Sequence, residues 1–393
     1  KLFKDYKGYF LKMNLEIIRN DISSRPLVSL DPAVAKANVG NAAVSSTPPF
    51  IKRKCSRSGI KVGVDKKKKE IGTGCRPIAG STSVKIENPE DSTVGKNGRV
   101  FAGWREVDPS TLQVRGIGYT TRRKKEKVNS PGDLYRCVKA DVFESQHRYP
   151  DMADRVVLPK VEFDNEDSNT RKTWVSPDMF VISIALPTSQ PTMRKGKNSN
   201  DNNDGAGFTV TMYFAMQLET RDILRRITAD GYDPQSDKIN DGNSGNKSKI
   251  NAVRLLEKWC RRAPSDDNFM SRFKVLPRAE NLAEIGLPAW ISKFNAKPFL
   301  VKRPGHTGFL YSHPEKSCME FDVSFHPFPY LARKAIYTIK DTIFKKAIAT
   351  FAFCLEARDD DELPECLLGA FQLCYPDPVH AIQGEDLFTG KLN

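Results

Sequence analysis

The chemistry within reach of this sequence is the chemistry of cations. Arg122-Arg123-Lys124-Lys125, followed by Lys127, forms a dense basic cluster just after Tyr119. Exposed basic turns of this kind clamp phosphorylated lipid headgroups. Arg115 and Arg272 each stand beside an apolar run, where a guanidinium either pairs with a carboxylate such as Asp141, Glu320 or Asp322 or grips a phosphate. Arg333 and Lys334 open a third group, continued by Lys340, Lys345 and Lys346 around the segment Pro329–Phe353. An amphipathic basic helix there would lie on an anionic bilayer. The candidate headgroup residues are therefore Arg115, Arg122, Arg123, Lys124, Lys125, Arg272, Arg333 and Lys334.

Other chemistries find less. The eight cysteines include no CxxC pair, and no HExxH, GxSxG or EF-hand loop occurs. Gly116-Ile117-Gly118 lacks the third glycine of a dinucleotide fingerprint. His306, His313 and Cys318 are too loosely spaced to read as a metal site, and Asp359-Asp360-Asp361-Glu362 reads as a helix start. Cys354, Cys366 and Cys374 read as small buried apolar residues. No catalytic constellation, metal or cofactor is expected.

The elements that must position these cations follow from the hydrophobic pattern. Of 393 residues, 39% are hydrophobic, and the net charge is +14. Residues 1–98 hold +10 of that charge, concentrated in Lys52-Arg53-Lys54 and Lys66–Lys69. Rich also in Ser, Pro and Gly, they read as a disordered basic region. The chain begins at Lys1 rather than Met, so its natural start is expected upstream. No stretch of 18 apolar residues exists to form a transmembrane helix.

From Arg99 the pattern becomes that of a folded domain, expected over 99–380, with a tail at 381–393. Strands are expected at Val100–Trp104, Gln113–Tyr119, Leu134–Phe143, Met179–Leu186, Phe208–Met216, Phe273–Leu276 and Pro298–Lys302. Two polar insertions, about 194–207 and 231–249, interrupt them. Met319–Phe325 alternates strictly and predicts a half-buried strand, with Glu320, Asp322 and Ser324 toward solvent. Ile250–Arg262 predicts a helix. Pro329 to about Phe353 predicts the longest helix, with Ile336, Ile339, Ile343, Ala347 and Phe351 as its apolar stripe. A strand is expected near Phe351–Glu356 and a last helix from Leu363 to Gly369. The fold class is α+β: a mainly antiparallel sheet packed against a long C-terminal helix, with a disordered basic N-terminal tail.

Several phrases, in order, resemble one family. They are Trp104 with Asp108-Pro109-Ser110-Thr111, Val114-Arg115-Gly116 with Tyr119, Leu134-Tyr135-Arg136 with Asp141-Val142-Phe143, and Phe180–Ile184 with Leu186-Pro187. Thr211–Phe214, Asp267-Asn268-Phe269, Ser271–Lys274, Trp290-Ile291, Lys297-Pro298 and Met319–Val323 follow. Ala332-Arg333, Phe353–Glu356, Asp361–Glu365 and Leu367-Leu368-Gly369 complete the set. Together they resemble the C-terminal domain of the plant enhanced disease resistance protein 2, over roughly 99–378. The match departs at Phe294-Asn295-Ala296 and near Ser312–Ser317, where the family usually has Gly-Asn and Gly-Asp. Neither a pleckstrin homology nor a StAR-related lipid transfer domain is seen.

The resemblance implies a non-enzymatic, lipid-linked regulatory domain. The first expected function is accordingly lipid binding or sensing at a cytoplasmic membrane surface, phosphoinositide included. An apolar cavity between sheet and helix would hold the acyl part, and basic turns the headgroup. The alternatives are a protein-interaction scaffold with a regulated basic tail and an enzyme of unrecognised type. Specific nucleic-acid binding is not expected, since the folded part shows no zinc finger or RRM signature.

Overall fold

The computed structural model describes residues 76–92, 102–121, 123, 125–161, 163, 172–192, 205–232 and 244–389. All lie within one compact unit, Lys69–Asn393. Residues 1–75, most of both polar insertions, Arg122 and Lys124 lie outside the described residues.

In chain order the strands are β1 (Val84–Lys85), β2 (Gly103–Arg105), β3 (Gln113–Arg115), β4 (Lys127–Asn129), β5 (Tyr135–Ser145), β6 (Met179–Pro187) and β7 (Gly207–Met216). They continue as β8 (Phe273–Ala279), β9 (Phe299–Leu300), β10 (Gly308–His313), β11 (Cys318–Ser324), β12 (Ile348–Leu355), β13 (Leu367–Cys374) and β14 (Ile382–Gln383). The helices are α1 (Met152–Arg155), α2 (Leu218–Ile227), α3 (Ser244–Arg262), α4 (Asp267–Met270), α5 (Leu282–Ile285), α6 (Ala289–Ser292), α7 (Tyr330–Ile339) and α8 (Gly384–Thr389).

The strands form two six-stranded sheets, β1-β2-β13-β12-β8-β9 and β10-β11-β6-β7-β5-β14, with β3-β4 as a separate hairpin. Most neighbours are antiparallel; β1–β2, β11–β6 and β14–β5 run parallel. The class is α+β and sheet-rich.

The alternating apolar residues of the two sheets meet in one core. Phe273 of β8 stacks on Phe321 of β11 with ring centroids 4.0 Å apart. Phe353 of β12 meets Phe214 of β7 edge-on at 5.9 Å. Trp259 of α3 enters between them, within 6.2 Å of Phe180, Phe273 and Phe321. Its indole N–H donates to the Phe269 carbonyl at 2.7 Å, so this large side chain is buried without an orphan donor. Gly369 is required where β13 packs on β7: a Cβ there would lie 2.6 Å from the Phe214 ring.

The helix that packs on the sheets is thus α3, in mid-chain, and this corrects the expected long C-terminal helix. Pro329–Phe353 divides into α7, a 3-10 turn at Phe344–Lys346, and β12. The stripe at 336, 339, 343, 347 and 351 mimicked one helix because a helical spacing and a strand run happened to join in phase. Ile348–Leu355 pairs with β13 on one side and β8 on the other, and that pairing overrides local periodicity. The expected helix before Gly369 is likewise a 3-10 turn, Asp360–Glu362, leading into β13.

Part of the stretch expected to be disordered carries structure. Arg76–Lys85 runs as a strap across both sheets. Val84–Lys85 pairs with β2 of the first sheet. On the second sheet, buried Asp141 accepts from Gly80 N (2.7 Å), Thr82 N (3.0 Å), Thr82 Oγ1 (2.9 Å) and Tyr213 OH (3.0 Å). One carboxylate satisfies four donors, two of them backbone N–H groups of the strap, which fixes it without a large apolar face.

Asp141→Ala is expected to lower unfolding free energy by about 3 kcal/mol, since it strands several buried donors. It should also open the Arg76 and Lys85 bonds to trypsin. An unchanged urea midpoint and digestion pattern would show that Asp141 does not hold the strap.

Candidate functional site

The candidate cations fall into three places. Arg115 and Arg272 join a largely buried ion network at the Leu355 end of β12. Arg272 Nη1 donates to both oxygens of Glu362, at 2.9 and 2.8 Å. Lys274, two residues along β8, donates to both oxygens of Glu365, at 2.6 and 2.7 Å. Arg115 at the end of β3 reaches Glu356 at 3.1 Å and Glu365 at 3.8 Å. Arg358 closes the network on Glu356 at 3.0 Å. Burial pushes Glu356 up, but the hydrogen bond from Arg358 and the nearby charge of Arg115 outweigh it and hold the carboxyl below its usual range. Glu362 is lowered in the same balance, with burial opposed by the Arg358 N–H and by Arg272. The pairing expected for these arginines thus exists, with Glu356, Glu362 and Glu365 as partners rather than Asp141, Glu320 or Asp322.

Arg123 and Lys125 sit in the β3–β4 turn. Tyr119 lies between Arg115 and Lys125, whose charges are 5.0 and 5.3 Å from its ring centroid. Ile117 at the tip is 63% exposed. The hydroxyls of Thr120 and Thr121 donate to Asp360, which sets a carboxylate beside the basic turn.

Arg333 and Lys334 lie on α7, which follows β11 and precedes the Ile348 end of β12. Since β12 has eight residues, the two ends of the sandwich are about 23 Å apart. Only Ile336 of α7 is fully buried. Tyr337 lies within 5.1 Å of Lys334 and 5.4 Å of Lys340. Ile339 of α7 and Ile343 pack with Ile285 of α5 and with Leu287. Beyond α5, α6 presents half-buried Trp290 and Ile291, then Phe294 at 45% exposure. Phe299, Phe325 and Phe328 make a partly buried aromatic cluster alongside, with centroids 4.2–5.8 Å apart. Residues 282–300 and 325–347 carry seven Lys and Arg but only two acidic side chains. This end of the sandwich is both aromatic and cationic.

A cavity lined by Leu134, Leu255, Leu355 and Leu368 measures about 10 Å3, room for one water and not for an acyl chain.

Sequence reading missed the outer face of the second sheet. Met319–Phe325 was expected to expose Glu320, Asp322 and Ser324, yet all three are buried. In the sheet register Asp322 lies beside Ser183, Ser183 beside Thr211, and Thr211 beside Asp141, a buried polar row across four strands. The signal was present as one polar residue at matching positions in several apolar strands, but aligning them required the register. Glu320 accepts from the N–H groups of Met152 and Ala153, at 2.9 and 2.6 Å. Asp322 accepts from Arg148 at 2.9 Å. Burial raises both carboxyls, and each lies close to the other; Asp322 is pushed up to about 6.

Nearby, Cys318 lies directly opposite His313 across β10 and β11, and His313 Nε2 is 2.7 Å from Asp151 Oδ1. Burial and the Glu320 carboxylate push the thiol up, so it stays protonated rather than serving as a nucleophile.

A family model described as Protein ENHANCED DISEASE RESISTANCE 2, C-terminal, matches residues 104–377. The chain belongs to this family. No curated protein and no solved structure matches it. In this enhanced disease resistance 2 C-terminal domain, two phrases that carried the resemblance, Ser271–Lys274 and Asp361–Glu365, meet face to face in the ion network. Arg272 and Lys274 from one clamp Glu362 and Glu365 from the other.

Arg272→Met leaves Glu362 buried without its main partner and is expected to cost about 3 kcal/mol; adding Glu362→Gln should recover much of it. Additive losses in urea denaturation of the three variants would argue against this coupling. The pH dependence carries two opposing signs. Glu356 and Glu362 are lowered from 4.5, so their stabilisation is complete above that value and lost as pH falls through the folded-state values. Asp322 is raised from 3.8, so its contribution is complete below 3.8 and lost as pH rises through about 6. Glu320→Gln should shrink the loss over that upper window, measured as urea midpoints against pH; an unaltered profile would count against the pair.

Proposed function

We propose that this domain is a non-enzymatic regulatory module that binds an anionic membrane surface peripherally, on the cytoplasmic side, through the α6–α7 end of the sandwich. The observation that carries the reading is the interleaving of half-buried aromatics with seven cations over residues 282–300 and 325–347. Aromatic rings and basic side chains on one face suit the interface, where rings enter the headgroup layer and ammonium and guanidinium groups meet lipid phosphates.

The β3–β4 turn is the weaker surface. It offers one exposed apolar side chain and stands against Asp360. Standing at the opposite end of β12, it does not share a flat bilayer contact with α7. Arg115 and Arg272 already hold carboxylates, and releasing either would leave a buried negative charge. Of the remaining described candidates, Arg123 and Lys125 are exposed, and Arg333 and Lys334 are half-buried along α7. The module therefore reads surface charge and interfacial packing rather than the stereochemistry of one phosphoinositide. The contact is superficial, in keeping with a cavity at Leu134, Leu255, Leu355 and Leu368 that holds a water rather than an acyl chain. Six described cysteines are buried as free thiols, a state that a reducing cytoplasm maintains.

The test is flotation of the full chain with neutral and with anionic vesicles, at low and at physiological salt. Arg333→Glu with Lys334→Glu should reduce binding to anionic vesicles at least about tenfold. Trp290→Ala with Phe294→Ala should reduce it most at physiological salt, where charge is screened. Flotation of both variants at the wild-type level would refute this surface. Loss only on replacing Lys66–Lys69 by Glu would move the activity to the basic N-terminal region.

A further inference from the structure

A sheet edge is where strands meet other chains, because one side of its backbone has no neighbour. Three of the four edges of the two large sheets, β1, β9 and β14, are two residues long. The fourth, β10, runs for six residues in unbroken register with β11. It contains no Lys, Arg, Asp, Glu or Pro, the residues that commonly blunt an edge.

The hydrogen bonding fixes which backbone groups of β10 face outward. Ser324 N–H donates to the Thr307 carbonyl at 2.9 Å. By antiparallel alternation Phe309, Tyr311 and His313 then bond β11, while Gly308, Leu310 and Ser312 turn their N–H and C=O groups away. The Arg303–Gly305 turn takes those of Gly308, whose N–H donates to the Arg303 carbonyl at 3.3 Å and whose carbonyl accepts from Gly305 N at 2.8 Å. At the other end Pro314 has no N–H and opens a 3-10 turn, Pro314–Lys316. Among the described residues, the outward groups of Leu310 and Ser312 have no partner.

We infer that β10 is a self-association edge, pairing antiparallel with β10 of a second copy about a two-fold axis at Tyr311. The free groups select this occupant. In that register Leu310 of one copy faces Ser312 of the other, and each such pair exchanges two hydrogen bonds. Every free donor and acceptor is used, and the two-fold closes the assembly. The ends fit as well. Beside Gly308, where the Arg303–Gly305 turn blocks a longer strand, the second copy presents Pro314, which has no N–H to satisfy and where its chain turns away. The charges are complementary: exposed Lys302, Arg303 and His306 precede β10, exposed Glu315 follows it, and the antiparallel pairing sets the first group of one copy against the second of the other. This edge is separate from the α6–α7 surface and does not rest on the membrane reading.

Sedimentation of the full chain at rising protein concentration should show a reversible monomer–dimer equilibrium. Ser312→Pro removes an outward N–H from each copy without touching a β10–β11 bond, and should weaken association at least about tenfold. Ser312→Lys places a charge at the same exposed edge and should also release the dimer, while melting at the wild-type temperature, which separates a lost interface from a folding defect. Tyr311→Cys should cross-link the dimer under mild oxidation, since the two copies of this residue form a non-hydrogen-bonded pair with Cα atoms about 4.5 Å apart. Ser312→Cys, which faces Leu310, should not. A monomer at every concentration overturns the inference. So does a dimer that both Ser312→Pro and Ser312→Lys leave intact, or one that cross-links through position 312 and not 311.

Discussion

The stack of Phe273 on Phe321 is the contact on which the rest of the molecule depends. It joins β8 of the first sheet to β11 of the second, and Trp259 wedges α3 against both rings. Burying three aromatic side chains at one point contributes several kcal/mol, on the order of 3–5 for each ring if truncated to alanine. Because this packing fixes β8 against β11, it also sets where the side chains at each end of those strands stand. Arg272 directly precedes Phe273 and enters the ion network; Lys274 directly follows it and does the same. Glu320 and Asp322 flank Phe321 and point to the opposite face. One aromatic contact therefore orients two separate polar clusters.

The ion network and the polar row solve the same problem differently. At the Leu355 end of β12, each buried carboxylate meets a cation within 3.1 Å, and the charges nearly balance locally. On the outer face of the second sheet, acidic groups outnumber cations. The structure compensates with backbone N–H groups from α1 and the strap, with Arg148, and with a raised affinity for protons. The first arrangement resists acid poorly, and the second tolerates it.

Much of the architecture was legible. Met179–Leu186 gave itself away by its apolar run and Phe208–Met216 by its alternation, and they are the central strands of the second sheet. Ile250–Arg262 showed a helical face through Val253, Leu256 and Cys260, and it is buried along that face. The strand expected near Phe351–Glu356 exists, but its first residues, Ile348–Thr350, were read into the helix because Ala, Phe and Thr at that spacing satisfy either period, and only the two hydrogen-bonded neighbours decide for the strand. Glu320 and Asp322 were misread because alternation normally separates core from solvent, whereas here both faces are covered. The candidate arginines were correctly linked to carboxylates, but partners 241 and 90 residues away in sequence belong to topology, not to pattern.

The pairing of β2 with β13 also bears on how the protein is made. Arg105 bonds Gln372 across 267 residues of sequence. The two central strands of the first sheet, β13 and β12, are synthesised long after β2. A nascent chain has to emerge through Cys374 before β2 finds β13 and the strap finds a finished edge. Until then, Trp104 and the inner face of the second sheet have no complete shelter. Such long-range closure makes for slow folding and a prolonged exposure of apolar strands. Long-range strand closure, rather than the stability of the finished sandwich, then sets how long those apolar strands stay exposed.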